Sequence, residues 1–138
     1  MKIKKLKLKN FRNYEFLDLE FDDQTNIFYG NNAQGKTNIL EAIFFMIIGK
    51  SFRTSKEKEV ISLSKENAYI KGEFKKKYRD IEIEIYFNSS HKKSIKIDKL
   101  TVPIIDFPIN FVPNLYKAII NNGIFKIILA TPSGILKK

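Results

Sequence analysis

Eight consecutive residues constrain this chain more than any other feature. Gly30, Asn31, Asn32, Ala33, Gln34, Gly35, Lys36 and Thr37 fit the spacing G-x-x-x-x-G-K-[ST], the phosphate-binding P-loop. Gly30 and Gly35 permit backbone angles and a closeness of approach that a side chain would forbid. The loop N–H groups can then converge on phosphate oxygens as an anion nest. Lys36 adds a positive charge for the β- and γ-phosphates of ATP, and the Thr37 hydroxyl is placed to ligate Mg²⁺. A helix starting near Lys36 would point its N-terminal dipole at the same anion. At ordinary residue frequencies a random chain of this length matches the pattern roughly once in 200. Context lowers the odds of chance further. Ile27, Phe28 and Tyr29 form a short apolar run of the kind a buried strand has, and residues 38–48 read as an uninterrupted helix. Strand, glycine loop and helix in that order predict a nucleotide phosphate site.

The 138 residues suffice for one domain with a core of its own. There is no cysteine, which excludes a disulfide framework and a thiolate metal site. The single histidine, His91, sits in the polar run 88–93 and reads as part of a solvated turn. Residues 1–9 alternate lysine with apolar residues and lack the continuous apolar core of a signal peptide. The longest apolar run, 42–48, is too short to cross a bilayer, so a cytoplasmic protein with no membrane partner is expected. The net charge of +10 suggests an anionic partner such as nucleic acid. That signal is diluted, because 22 lysines stand against three arginines, beside 22 isoleucines. An AT-rich genome produces this bias by codon usage alone, and arginine is the better residue for bidentate phosphate or base contacts.

Taken in order, residues 1–8 read as a strand with Ile3, Leu6 and Leu8 among lysines. Residues 15–21 form a second strand, with Leu17, Leu19 and Phe21 inward and Glu15, Asp18 and Glu20 outward. Asn10-Phe11-Arg12-Asn13-Tyr14 is a turn between them, and 22–26 is another turn before the 27–29 strand. The helix after the loop has Ile39, Leu40, Ile43, Phe44 and Ile47 on one face and Ala42, Phe45, Met46 and Ile48 over most of the rest. Such a helix must be buried. Gly49 is its stop signal. A short surface helix is expected over 55–62, and strands over 68–74, 81–87 and 94–97. Lys75, Lys76 and Lys77 mark a charged hairpin tip. Further on, the sequence predicts a strand at 109–112, a short helix at 115–120, a turn at 121–123 and an apolar run at 124–130.

Three segments carry a specific resemblance. Leu8-Lys9-Asn10-Phe11-Arg12-Asn13-Tyr14, Asn32-Ala33-Gln34-Gly35-Lys36-Thr37-Asn38 and Gly49-Lys50-Ser51-Phe52-Arg53-Thr54 occur in the order and spacing of the RecF family. The resemblance covers about residues 1–112, with SMC-type ATPase heads as more distant relatives. It implies an α/β P-loop NTPase fold, the first lobe of an ABC-type ATPase head with an antiparallel β subdomain, incomplete here. It implies ATP and Mg²⁺ as cofactors, with ATP at Gly30–Thr37 sandwiched in an ATP-dependent self-dimer. It also implies DNA replication, recombinational repair and the SOS response, on single-stranded or gapped DNA, with recombination mediator proteins as partners. In such heads the turn holding Arg12 and Asn13 lies near the nucleotide.

The chain also departs from the family. After Phe111-Val112-Pro113 the family continues with an acidic pair and later an Arg-Arg-x-aromatic-x-Asp run. Here Asn114-Leu115-Tyr116-Lys117 follow and no Arg-Arg pair does. The ABC signature is missing, and the run 124–130 ends at Ala130-Thr131 without a Walker B carboxylate. Hydrolysis by this chain alone is therefore not expected, and no catalytic residue is assigned. Residues 113–138 read as a divergent tail, from a shifted frame or a truncation. Lacking the later strands of a head, residues 27–29 are expected at an open sheet edge. Two other readings stand beside the repair protein: a stand-alone nucleotide-binding module and a non-functional remnant.

Overall fold

The computed structural model of the chain describes residues 2–31, 35–104, 127–131 and 134–136. Its main layer is a six-stranded antiparallel sheet in the order β2-β1-β4-β5-β6-β7. The strands are β1 (Lys2–Phe11), β2 (Tyr14–Glu20), β4 (Asn67–Lys75), β5 (Asp80–Asn88), β6 (Lys93–Ile97) and β7 (Leu100–Val102). A second sheet has the order β3-β8-β9, from β3 (Asn26–Tyr29), β8 (Ile127–Thr131) and β9 (Gly134–Leu136). Helix α1 (Lys36–Ile48) covers one face of the large sheet, against β1, β4 and β5.

Period-2 alternation gives the sheet its dry side. Along β5, Ile81, Ile83, Ile85 and Phe87 are buried, while Glu82 and Glu84 are only partly covered on the other face and Tyr86 is exposed. In β1 the buried set is Ile3, Leu6, Leu8, Asn10 and Phe11, and the three-residue step from Ile3 to Leu6 is explained by a register shift against β4 between Ile3 and Lys5. The helix fills the layer with Ile39, Ala42, Ile43, Phe45, Met46 and Ile47. Phe45 stacks on Phe87 at 4.9 Å between centroids and meets Phe11 edge-on at 6.4 Å. Gly49 ends α1 at φ 82, donating its N–H to the Phe45 carbonyl at 2.8 Å. Lys93, nearly buried, donates to the Gly49 carbonyl at 2.7 Å and pairs with Glu57, tying the helix end to β6.

Several expectations need correction. Residues 55–62 hold one turn of 3-10 helix, Glu57–Val60, instead of a surface helix. The Thr54 hydroxyl bonds Glu59 at 2.6 Å and accepts from the Lys56 N–H at 3.1 Å, competing with helical bonds, and Ile61 is drawn into a bridge with Phe11. Strand β7 was not anticipated; Asp98 and Lys99, at φ 49 and 68, form the two-residue turn that feeds it. The run at 27–29 is not a buried strand: Ile27 is 63% and Tyr29 72% exposed, because α1 turns its apolar side to β1, β4 and β5. Phe28 is the half-buried member and meets Phe21 at 6.2 Å.

β3 does lie at an edge of its sheet, as expected, but not without a partner. β8 pairs with it in parallel, Ile27 opposite Ile128 and Phe28 opposite Leu129, and β9 pairs antiparallel with β8. The tail thus supplies a neighbour on one side of β3; among the described residues its other side is unpaired. The strand expected at 109–112, the helix at 115–120 and the turn at 121–123 lie outside the described residues.

Candidate functional site

The phosphate-loop segment is framed by β3, which ends at Tyr29, and by α1, which starts at Lys36. Asn32, Ala33 and Gln34 lie outside the described residues. Gly35 takes φ 94, a left-handed angle that a side chain resists, whereas Gly30 at φ 156 is near the extended region. The first helical bond runs from the Ile39 N–H to the Gly35 carbonyl at 3.2 Å. Among the described residues no side chain caps this N-terminus, and its first turn holds no acid. Its leading N–H groups therefore suit an anion. Lys36 is 9% exposed, and its Nζ donates to the Gly30 carbonyl and, at 3.1 Å, to the Asn31 carbonyl. The ammonium thus bridges back across the loop's span. Thr37, expected to serve Mg²⁺, is half-buried in the first turn.

The two other motifs meet beside this loop, around a residue that sequence reasoning missed. Glu41 is fully buried on α1. Its carboxylate accepts from Arg12 Nε at 2.9 Å and Nη2 at 2.7 Å, a bidentate pair. It also accepts from the Ser51 hydroxyl at 2.6 Å and from Arg53 Nη1 at 3.1 Å. Burial pushes the Glu41 carboxyl up, but bonds from Arg12 and Ser51 and the charges of Arg12 and Arg53 outweigh it and leave the pKa below the usual carboxylate range. The available signal was one acidic residue inside an apolar helix. A charge placed there must be paired or exposed, and the sequence had already put that helix in the core.

From this hub the contacts run back to the loop. Arg53 Nη1 also donates to Asn38 Oδ1 at 2.8 Å, and Asn38 Nδ2 donates to Asn13 Oδ1 at 2.7 Å. Asn13 and Tyr14 lie so close over Gly35 that a Cβ there would fall 2.7 Å from the Asn13 carboxamide and the Tyr14 hydroxyl. Burial raises the Tyr14 pKa, so this hydroxyl stays protonated. The turn that Arg12 and Asn13 form thus rests, through Asn13 and Tyr14, on Gly35 and Asn38.

Two other sequence features fall elsewhere. His91, exposed at φ 63, lines a surface cavity of about 780 Å³ with Lys50, Arg53, Lys56 and Lys58. Lys75 is exposed at the β4–β5 end and pairs with Asp23 at 3.3 Å. Among the described residues no three His, Cys, Asp or Glu side chains cluster as a metal cage. Among them, too, no helix is long and apolar enough to cross a membrane.

Known proteins match this chain in sequence and fold. The AAA domain family model matches residues 5–128. The DNA replication and repair protein RecF of Clostridium kluyveri is 53% identical over 102 residues, 74% of this chain and 28% of that protein. The structure of the recombination mediator protein RecF with ATP superposes with a TM-score of 0.71 at 35% identity, over 74% of this chain and 28% of that one. A structure of SMC ATPases, with a TM-score of 0.72 over 94% of this chain and 86% of that one, is 21% identical and speaks for the fold alone. The chain spans a little over a quarter of the length of its RecF relatives, 28% in the Clostridium kluyveri case. With a glycine-framed loop between β3 and α1, and an antiparallel sheet beneath the helix, the chain belongs to the AAA domain family and is similar to the N-terminal lobe of the RecF ATPase head.

Proposed function

We propose that the chain is a RecF-like ATP-binding and DNA-binding protein of replication and recombinational repair. ATP with Mg²⁺ would occupy Gly30, Asn31, Asn32, Ala33, Gln34, Gly35, Lys36 and Thr37, the Thr37 hydroxyl serving the metal. The observation that carries the reading is the meeting of three motifs at one place. Asn13 and Tyr14 close over Gly35, and Arg53 reaches Asn38, both beside Lys36 and Thr37. Residues 1–112 would form the N-terminal part of the ATPase head and 113–138 a tail divergent in sequence. Single-stranded or gapped DNA, an ATP-dependent self-dimer, recombination mediator proteins, a role in the SOS response and a cytoplasmic location belong to this proposal. They rest on the likeness to RecF.

A second reading, a nucleotide-binding module acting without DNA, is favoured by β8. The tail supplies a parallel partner for the very strand that leads into the loop. A chain built this way has a way to support β3 without a further lobe.

Thermal denaturation with and without Mg-ATP tests the nucleotide site. At a hundredfold excess over Kd a bound ligand adds about 2.7 kcal/mol, a clear rise in melting temperature. Lys36→Ala should abolish the rise; its absence in the wild type would sink both readings. DNA binding that weakens steeply with salt favours the repair protein over the module.

A further inference from the structure

We infer that Glu41 is a positioning residue: its buried carboxylate seats the Arg12–Tyr14 turn on the phosphate loop and so sets nucleotide affinity without touching nucleotide. The inference rests on the nucleotide site proposed above. It follows from a chain of contacts and from the strain those contacts hold in place.

Arg12 sits at φ 52, an angle an L side chain rarely adopts. Such conformations persist where the surroundings over-determine them, as at ligand clamps. Here the backbone is held by the Arg12 N–H to the Val60 carbonyl at 2.7 Å and by the Ser62 hydroxyl to the Arg12 carbonyl at 2.7 Å. The side chain is held by Glu41 from two nitrogens and by the Glu59 carbonyl at 2.9 Å from the third. With Arg12 fixed at both ends, Asn13 has one place to go. It lands on Gly35 and Asn38, the residues on either side of Lys36 and Thr37.

Stability alone is a poor account of Glu41. Apolar residues of similar volume replace buried ion pairs with little loss, and often with gain. What an apolar residue would not do is fix the direction of two guanidinium groups, because bidentate bonds from Arg12 and the Ser51 hydroxyl define the carboxylate plane. Arg53 is held more loosely, by one nitrogen shared between Glu41 and Asn38. The firm partner is Arg12, so the turn is what Glu41 positions. In Glu41→Gln the carboxamide NH2 would face an Arg12 guanidinium N–H whichever way the amide points, donor against donor, and the turn would lose its anchor.

The test uses the full chain and calorimetric titration of Mg-ATP, with tripolyphosphate as a second probe, well below the melting temperature. Glu41→Gln should weaken both ligands by about tenfold, the low end of what losing an orienting partner costs at a binding site. Asn13→Ala should weaken them comparably, and the double variant no more than the worse single one, because the two lie on one route. Should Glu41→Gln prove unfolded, Ser51→Ala removes one bond to the carboxylate and should weaken binding about fivefold. Ile85→Val, in the core away from these contacts, lowers stability while leaving affinity unchanged. Unchanged affinity in the folded Glu41 or Ser51 variant, or strict additivity with Asn13→Ala, overturns the positioning role alone. A wild type that binds neither probe overturns the role together with the nucleotide site.

Discussion

Gly35→Ala separates two contributions that the structure places on one atom. The first is conformational: Gly35 has φ 94, and an L side chain in the left-handed region costs about 1–2 kcal/mol. The second is steric. The new methyl would lie 2.7 Å from Asn13 Nδ2, Asn13 Oδ1 and the Tyr14 hydroxyl, closer than real Cβ contacts come. Overpacking of this kind costs about 1–3 kcal/mol, toward the low end where flexible side-chain tips can move aside. The expected total is about 2–5 kcal/mol, measured as a lowered urea midpoint with unchanged slope. The parts come apart in the triple variant Gly35→Ala, Asn13→Ala, Tyr14→Phe, compared with the Asn13→Ala, Tyr14→Phe background. Against that background Gly35→Ala should cost only the backbone share, about 1–2 kcal/mol. A loss below roughly 0.5 kcal/mol in the single variant, the range of ordinary surface changes, would contradict both the left-handed angle and the contact. An equal loss in both backgrounds would leave the backbone angle as the whole effect and remove the contact from the account.

Two further outcomes follow from the packing and the charges. Glu41 has a folded pKa below its ordinary 4.5, so on acidification the unfolded chain takes up the proton first; the stabilisation is complete above about pH 4.5 and is lost as pH falls through the depressed folded value. Urea titrations across pH 3 to 7 should show this acid-side loss, flattened in Ser51→Ala; a stability that is level down to pH 3 would contradict the buried pair. Gly72→Ala puts a Cβ 2.4 Å from Met46 Sδ and 2.6 Å from its Cε, and should cost about 1–3 kcal/mol. Adding Met46→Ala should cut the cost of Gly72→Ala to what the remaining contact with Phe74 Cε2 at 3.1 Å imposes, and a full penalty in that background would show that α1 and β4 do not meet there.

How far the chain could be read beforehand follows from how local each signal is. The alternation of Ile81, Ile83, Ile85 and Phe87 needs only one strand and one dry face, so β5 was evident. The helix from Lys36 to Ile48 lies between two glycines whose left-handed angles, φ 94 and φ 82, mark its start and stop. Other features have weak local marks or none. A parallel ladder between β3 and β8 joins segments about a hundred residues apart, and neither carries a sign of the other. The Asp98-Lys99 turn lacks the glycine that usually betrays a two-residue hairpin. Ile27 and Tyr29 are apolar yet exposed, because hydrophobicity tells that a strand would gain from cover, not that a helix is there to give it.

The site was legible by the same division. The loop announces itself because its chemistry needs glycines and a lysine at fixed spacing within eight residues. The carboxylate beside it draws its partners from 29 residues before and 12 after, so no window over the sequence contains the arrangement. One inference was nonetheless within reach. An acid within Ile39–Ile48 contradicts a helix buried all round unless cations come to it, and only three arginines exist in the chain. Two of them, Arg12 and Arg53, stand in the two motifs flanking the loop. A bidentate partner for a buried carboxylate is best supplied by arginine, so the scarcity that weakened the case for nucleic-acid contacts narrowed the choice of partners for Glu41. Pairing Glu41 with Arg12 and Arg53 thus joins the three motifs on the strength of the sequence alone.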